Sequence, residues 1–339
     1  MSNSIPEIED ADLLFIFGYN GADSHPIVAR RIVRAKEKGA TLITVDPRVT
    51  ETARISDMHL PIKGGTNMIL VNAFGNVLIN ENLYDEEFIK EHTDNFEEYK
   101  KIVEPYTPEY AAKYTNIPAD MIRKTMREYA KAKDAMILYG MGVCQFSQAV
   151  DVVKGLASLA LLTGNFGRPN VGIGPVRGQN NVQGACDMGA LPDCYPGYQK
   201  VTNPEIRAKF EKAWGVKLPS KVGLKLTEVP HAVLEEHKIK AYYIFGEDPV
   251  QSDPDAAEVR EALDECEFVV VQDIFMNKTG LHADVIFPAT SWGEHDGVYS
   301  SADRGFQRIR KAVEPKGDVK TDWQIICEVS TAMGYPMHY

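Results

Sequence analysis

The stretch from residue 175 to residue 198 carries the side chains best suited to chemistry in this sequence. It reads PVRGQNNVQGACDMGALPDCYPGY and sets one basic residue, Arg177, among amides such as Gln179 and small residues. Amides offer hydrogen-bond donors and acceptors in pairs, and glycines let the backbone come close to a bound group. The stretch has no helical or strand period, which is typical of a functional loop. The alternative is a polar connection between domains.

A strand–helix–strand unit at the start of the chain predicts how such side chains are positioned. The apolar run at 12–17 is followed by a turn and by Pro26, which suits the first position of a helix. With Ser24 as N-cap, the helix is predicted over 27–38, and the next strand over 41–45. The unit has the length of a parallel βαβ motif.

Polar residues follow both strands of this unit. Asn20 and Asp23 come after the first strand, and Asp46 and Arg48 come after the second. Ligands of open parallel sheets bind beyond the carboxyl ends of the strands, and an acid after the second strand is where a dinucleotide fold holds a ribose or base. The strict GxGxxG fingerprint is absent, so a nicotinamide site is weakly supported. Asp46 and Arg48 fit a turn ion pair equally well.

A glycine-containing turn at 64–67 predicts a second kind of contact. It joins a third strand, predicted over 60–63, to a helix predicted over 68–80. Glycines that lead into a helix N-terminus can form an anion site from backbone N–H groups and the helix dipole. Gly65 and Asn67 are the candidates here, and a plain helix cap is the alternative.

The rest of the first half is predicted to form surface helices, a further buried strand and the turn that follows this strand. Residues 84–133 read as amphipathic surface helices without a site. A buried strand is predicted over 135–139, followed by a turn with Met141 and Gln145, and an apolar helix over 150–162 packs against the sheet. The stretch 162–174, LTGNFGRPNVGIG, is then predicted to form a loop.

The second half repeats the pattern. Strands are predicted over 241–245 and 268–271, with a helix over 256–263 between them. Polar residues again follow each strand. They are Asp248, Ser252, Gln272 and Asp273. An Asp before a proline also suits a simple turn, which is the alternative for Asp248.

The predicted fold class is therefore α/β, with two Rossmann-like αβα domains and mainly parallel sheets. A chain of 339 residues suits about two domains. We expect the first nucleotide-binding domain over 1–180 and the second over 181–339, with a partial segment of a further domain near 290–320.

Composition excludes several classes of function. A net charge of −11 argues against nucleic acid as a partner, because phosphate binding needs clustered Lys and Arg. No apolar run reaches the length of a membrane helix and the N-terminus lacks a secretory pattern, so we expect a cytoplasmic protein without a membrane partner. The five cysteines form no CxxC pair, so neither a zinc ribbon nor a cubane iron–sulfur site is encoded.

The central stretch also resembles a known family. VRGQNNVQGACDMGALPD, with GYNGADSHPIVA, DPRVTETARISDMH and ATSWGEHDGVYSSADRGFQRI elsewhere, is similar to the catalytic (alpha) subunit of molybdenum- or tungsten-dependent formate dehydrogenases. These enzymes of anaerobic metabolism belong to the dimethyl sulfoxide reductase family and carry bis-molybdopterin guanine dinucleotide. The resemblance covers nearly the whole chain but only about the middle half of that subunit.

The resemblance implies roles for the candidates. One guanine dinucleotide would lie against the residues after the first two strands, its pyrophosphate near the 64–67 turn, and the second against the strand ends of the other domain. Arg177 matches the arginine that holds formate, a small carboxylate that a guanidinium can bind through two charge-assisted contacts. The implied cofactor-binding positions are Asn20, Asp23, Asp46, Arg48, Gly65, Asn67, Met141, Gln145, Arg177, Gln179, Asp248, Ser252, Gln272 and Asp273.

The departures from the family limit the expected activity. The [4Fe-4S] domain, the Cys or selenocysteine metal ligand and the C-terminal domain have no counterpart in this sequence. We therefore expect a central fragment that is inactive alone. Its partners would be the remainder of the catalytic subunit and an electron-transfer iron–sulfur or flavin subunit. A cofactor-binding module without chemistry, and a nitrate reductase-type member of the same family, are the alternatives.

Overall fold

The computed structural model describes residues 1–338 and has the predicted α/β architecture. Its contacts divide the chain into two units. The first comprises Met1–Val182 together with Ser301–Gly305, and the second comprises Gln183–Ser300 and the residues from Phe306 onward. None of the helices in the described chain is long and apolar enough to cross a membrane.

The first unit is built on a sheet of five parallel strands in the order β3-β2-β1-β4-β5. The strands are β1 Leu13–Phe17, β2 Thr41–Val45, β3 Met58–Leu60, β4 Ala135–Tyr139 and β5 Gly172–Pro175. Every residue of β1 and β4 is buried, as expected of central strands covered on both faces. The strand order reverses between β1 and β4, which makes their carboxyl ends the topological switch point of the sheet.

Helices cover both faces of this sheet. Phe15 of β1 packs with Phe74 and Tyr129 on one face, at ring-centroid distances of 5.6 and 5.8 Å. Its neighbour Leu14 faces the other way and packs in the cluster of Ile32, because side chains alternate along a strand. The helices are α1 Gly21–Ser24, α2 Pro26–Glu37, α3 Glu51–Ile55, α4 Asn67–Asn80, α5 Glu86–His92, α6 Phe96–Val103, α7 Pro108–Thr115, α8 Ala119–Lys131, α9 Met141–Cys144 and α10 Ala149–Leu162.

Three local predictions in this unit are wrong. The N-cap of α2 is His25 rather than Ser24, because residues 21–24 form the separate helical turn α1. The third strand ends at Leu60, one residue before a proline, instead of covering 60–63. The strand β5 lies in the stretch predicted to be loop, because three of its four residues are glycine or proline, which are depleted in strands.

The second unit holds a smaller parallel sheet and two antiparallel hairpins. The hairpin strands are β6 Cys194–Tyr195, β7 Gln199–Lys200, β11 Gly297–Ser300 and β12 Phe306–Ile309. The parallel strands, in the order β10-β9-β8, are β8 Ala241–Phe245, β9 Phe268–Asp273 and β10 Val285–Pro288. The helices, of which the first begins on the last residue of the first unit, are α11 Val182–Asp187, α12 Pro204–Trp214, α13 Val229–Leu234, α14 Pro249–Ser252, α15 Ala256–Glu265 and α16 Asp322–Ala332.

The central stretch is more regular than predicted. Residues 175–198 were expected to form a loop without period, yet they contain the helix α11 and the strand β6. The strand β9 also runs to Asp273, so Gln272 and Asp273 are its last two residues and do not follow it. The hairpin β11–β12 was not predicted from the sequence.

Candidate functional site

The loops after β1 and β4 approach each other backbone to backbone at the switch point of the first sheet. Gly142 N donates to Gly18 O at 3.1 Å. A Cβ on Gly142 would lie 2.8 Å from the Cα of Gly18, so neither position has room for a side chain. Gly18 also has φ +57°, a conformation that glycine adopts without strain. The two glycines thus leave bare backbone at the point where ligands of such sheets bind.

Asn20 connects the loop after β1 to the helix after β2. Its Nδ2 donates to Asp23 Oδ2 at 2.6 Å, and its Oδ1 accepts from Thr52 Oγ1 at 3.0 Å. The structure therefore brings the predicted residues Asn20 and Asp23 together. The carboxylate of Asp23 is exposed.

Asp46 directly follows β2, and its side chain is turned into the loop after the strand. It is 9% exposed, and its Oδ1 accepts from the backbone N of Arg48 at 2.8 Å. Its carbonyl accepts from His59 Nε2 at 2.9 Å. No salt bridge joins the Asp46 and Arg48 side chains within residues 1–338. Arg48 is exposed, and the contact within the turn is the bond from its backbone N–H to the Asp46 carboxylate.

The N-terminus of α4 presents backbone donors beside this crevice. Thr66, its N-cap, makes no side-chain capping bond, and its Oγ1 donates back to Lys63 O at 2.7 Å. Gly65 has φ +83° and an open surrounding. Asn67 is 6% exposed, with Nδ2 3.5 Å from Gly142 O. The first N–H groups of a helix without a cap are ready to bind an anion.

The turn after β4 forms the short helix α9 instead of an irregular loop. Met141 at its start is 51% exposed, and Gln145 just beyond its end is exposed as well. Both residues lie at the same carboxyl edge as the residues after β1 and β2, since all five strands are parallel.

Arg177 lies two residues beyond the end of β5, on the exposed surface of the first unit. Its carbonyl accepts a hydrogen bond from His25 Nε2 at 2.5 Å. Burial raises the pKa of Tyr139 to about 12, Cys144 adds to that shift, and the charge of Arg177 opposes it. Burial also raises the pKa of the Cys144 thiol, against the influence of the same guanidinium. The cation of Arg177 thus acts on the end of β4, and Gln179 follows it in an exposed position.

At the carboxyl edge of the second sheet, Asp248 is held by the loop that follows β9. Its Oδ1 accepts from Thr279 Oγ1 at 2.6 Å and from Thr279 N at 3.0 Å. Burial tends to raise the pKa of Asp248, but the hydrogen bonds from Thr279 and Lys278 outweigh it and the pKa is lowered. Asp248 directly precedes Pro249 and is the N-cap residue of α14, although its side chain makes no capping bond. Ser252, at the end of α14, is exposed.

Gln272 and Asp273 use their side chains within the second unit. Gln272 is fully buried; its Oε1 accepts from the Tyr243 hydroxyl and its Nε2 donates to Asp322 Oδ1 at 2.6 Å. Asp273 accepts from Asn277 Nδ2 at 3.0 Å. These contacts order the strand end, and a role of either residue in ligand binding stays a prediction.

The sequence analysis missed several residues that organise these edges. They are His25, Thr52, His59, Thr279 and Asp322. Each of them is distant in sequence from the residue that it contacts, so no local sequence pattern predicts the contact. Within residues 1–338, no group of three or more His, Cys, Asp and Glu side chains is arranged to hold a metal ion.

The donor set at the first sheet fits an anionic dinucleotide. An uncapped helix N-terminus at α4 suits a pyrophosphate, and the carboxylate of Asp46 with the amide of Asn20 suits ribose or base. Gly18 and Gly142 carry no side chain at this edge, so a ligand beside them would meet their backbone.

Comparison with known proteins shows the family of this chain. The profile of the family described as "Molybdopterin oxidoreductase" matches residues 1–332. "Formate dehydrogenase H" of Escherichia coli is 59% identical over 340 residues, which cover 100% of this chain and 47% of that protein. "F420-dependent formate dehydrogenase subunit alpha" of Methanocaldococcus jannaschii is 49% identical over 99% of this chain and 49% of its own length.

A solved structure shares the fold. "Acetylene Hydratase from Pelobacter acetylenicus" superposes with a TM-score of 0.77 at 22% sequence identity, covering 98% of this chain and 50% of that chain. The chain thus spans about half the length of the relatives that it matches.

Proposed function

This chain belongs to the molybdopterin oxidoreductase family, and from that membership we propose that it is the central, cofactor-binding part of a formate dehydrogenase catalytic subunit. The observation that carries the proposal is the 59% identity to a formate dehydrogenase along the entire chain. The position of Arg177 beside the carboxyl edge of a parallel sheet supports it. The complete subunit would convert formate to carbon dioxide, a proton and two electrons.

The family implies a molybdopterin cofactor with molybdenum or tungsten, and we infer the bis-guanine-dinucleotide form. When bound, the metal and its dithiolenes would accept the two electrons. The residues that would hold one dinucleotide are those of the first switch point. Asn20, Asp23, Asp46 and Arg48 would hold the nucleoside, and the N-terminus of α4 with Gly65 and Asn67 the pyrophosphate. Met141, Gln145 and Gln179 border the same edge.

The second dinucleotide would lie at the carboxyl edge of the β8–β10 sheet. Asp248 and Ser252 follow β8, and Gln272 and Asp273 end β9. Because the side chains of Asp248 and Gln272 already have partners within this unit, we infer that they support the loops that contact the ligand. Ser252 is the exposed member of the set.

Arg177 would bind the substrate itself. A guanidinium offers a planar pair of N–H donors that matches the two oxygens of a carboxylate, and a charge-assisted pair of this kind orients the small anion. The formate hydrogen would then point away from the arginine. Residues of this chain thus bind and orient formate, and the two-electron step belongs to the cofactor.

The proposed partners are the remainder of the catalytic subunit, including a [4Fe-4S] segment, and an electron-transfer iron–sulfur or flavin subunit, in the cytoplasm. The experiment uses the longer subunit that contains this chain, loaded with cofactor. Arg177→Lys should lower kcat/KM for formate about 10–100-fold, because Lys keeps the charge and loses the bidentate geometry. Arg260→Lys, at an exposed position of α15, is the matched control. A wild-type subunit that holds the cofactor and leaves viologen oxidised in the presence of formate would refute the proposal.

A further inference from the structure

His25 makes a hydrogen bond to the backbone of Arg177 across 152 residues of sequence. Its Nε2 lies 2.5 Å from the carbonyl oxygen of Arg177. A carbonyl oxygen only accepts hydrogen bonds, so Nε2 must carry a proton and donate it to this oxygen. His25 is the N-cap residue of α2, and its ring also packs against Tyr19 with centroids 5.4 Å apart.

The other nitrogen of the ring connects His25 to the predicted nucleotide loop. Nδ1 lies 2.8 Å from Ser24 Oγ, and Ser24 Oγ lies 2.9 Å from the carbonyl oxygen of Asn20. Close contacts therefore link Asn20 through Ser24 and His25 to Arg177, and the single proton of the Ser24 hydroxyl is donated either to Asn20 O or to Nδ1. These contacts join the loop after β1 to the loop after β5, whose strands are separated by β4 in the sheet.

The packing of Val176 explains why the hydrogen bond from His25 can fix the position of Arg177. Val176 is 7% exposed and packs in the same apolar cluster as Tyr19 and Val28, so the chain leaving β5 lies over the start of α2. Its N–H still donates to Tyr139 O, as in a sheet. Arg177 is the next residue, and beyond it the chain is exposed to residue 180. The bond from His25 therefore fixes the backbone just where the support of the sheet ends.

We propose that His25 is a positioning residue for Arg177, which couples the orientation of the anion-binding guanidinium to the loop that carries Asn20. The functional part rests on the role proposed for Arg177 in binding formate. The physical reason is entropic: a long side chain on an unfastened loop must be ordered by the ligand, and that ordering weakens binding. A backbone held in advance avoids this loss.

Three variants separate the hydrogen bond from general packing. His25→Phe keeps a ring against Tyr19 and removes both nitrogens. His25→Gln carries an N–H group at a reach similar to Nε2. His92→Phe, on the exposed surface of α5, is the matched control.

The first readout is amide hydrogen exchange of the 339-residue chain without cofactor. We expect peptides that cover 176–182 to exchange about 5–10-fold faster in His25→Phe, and within about twofold of wild type in His25→Gln and His92→Phe, since one hydrogen bond of this kind is lost. Peptides from β1 and β4 should be unchanged, which a merely structural role in the sheet would not allow. Equal exchange at 176–182 in His25→Phe and wild type would overturn the proposal.

The second readout is steady-state kinetics of the cofactor-loaded longer subunit. His25→Phe should raise KM for formate about 5–10-fold with a smaller change in kcat and unchanged metal content, and His25→Gln should restore KM. An unchanged KM in His25→Phe, with a wild-type enzyme that oxidises formate, would refute the coupling. A wild-type subunit without formate activity would refute the proposed function instead. The amide exchange at 176–182 would then be the test of whether His25 positions the backbone of Arg177.

Discussion

Replacing Gly142 by alanine tests the close approach of the two loops at the switch point of the first sheet. The new Cβ would lie 2.8 Å from both Cα and O of Gly18, about 0.6 Å closer than the 3.4 Å at which ordinary contacts begin. All the nearest atoms belong to the backbone, so no side chain can rotate away. The loops must separate, and the bond from Gly142 N to Gly18 O must lengthen with them.

Overpacking of this kind costs about 1–3 kcal/mol of unfolding free energy. For a unit of this size each kcal/mol corresponds to about 2–4 °C in Tm, so Gly142→Ala should lower the Tm of the first unit by about 2–12 °C. Urea denaturation followed by circular dichroism measures the free energy, and calorimetry measures Tm. Gly293→Ala is the matched control, because no atom outside the adjacent residues lies within 4 Å of the place that its new Cβ would take. Equal stability of the two variants within about 0.5 kcal/mol would refute the argument.

Three further substitutions test the packing and charges of the first unit. The pKa of Glu7 is lowered to about 2, chiefly by the hydrogen bond from Asn3. The stabilising effect of this carboxylate is therefore complete above about pH 4.5 and is lost as the pH falls towards 2. Glu7→Gln should lower the unfolding free energy at pH 7 by about 1–2 kcal/mol, and urea titrations should show that the unfolding free energy falls less steeply between pH 5 and pH 2. The Tyr99 hydroxyl is buried without a hydrogen-bond partner in the described chain, so Tyr99→Phe should raise the unfolding free energy by about 1 kcal/mol, and a loss of stability would contradict this. Phe15→Ala removes a fully buried ring from the core and should cost about 3–5 kcal/mol; a calorimetric loss below about 1 kcal/mol would contradict the packing described.

The strands could be predicted well where the sequence is apolar and uninterrupted. The predicted strands at 41–45, 135–139 and 241–245 agree residue for residue with β2, β4 and β8. The buried strands β2 and β4 need apolar side chains on both faces, so their sequences carry a strong local signal. The sequence of β8 is equally apolar, although three of its five residues are exposed. The short strand β5 carries almost none, because two glycines and a proline occupy three of its four positions. Its strand state depends on pairing with β4, which is remote in sequence.

The sequence predicted which kinds of residue lie at the candidate site, but only some of the contacts that they make. The rule that ligands bind at the carboxyl ends of parallel strands led from the sequence to Asn20, Asp23 and Asp46, and the first two are hydrogen-bonded to each other in the structure. The rule does not tell which side chains already have partners. Gln272 has the same place in the pattern as Asp46, yet its amide is buried and bonded to Asp322.

The amino-acid sequence by itself determined the α/β class, the family and the edge of the first sheet at which polar residues collect, because hydrophobic period and local motifs depend on neighbours along the chain. The tertiary structure alone decided the reversal of strand order, the contact between Gly18 and Gly142, and the bond from His25 to Arg177. These features join residues separated by more than 100 positions. Their geometry follows from how helices and strands pack in space, which no local pattern of side chains contains.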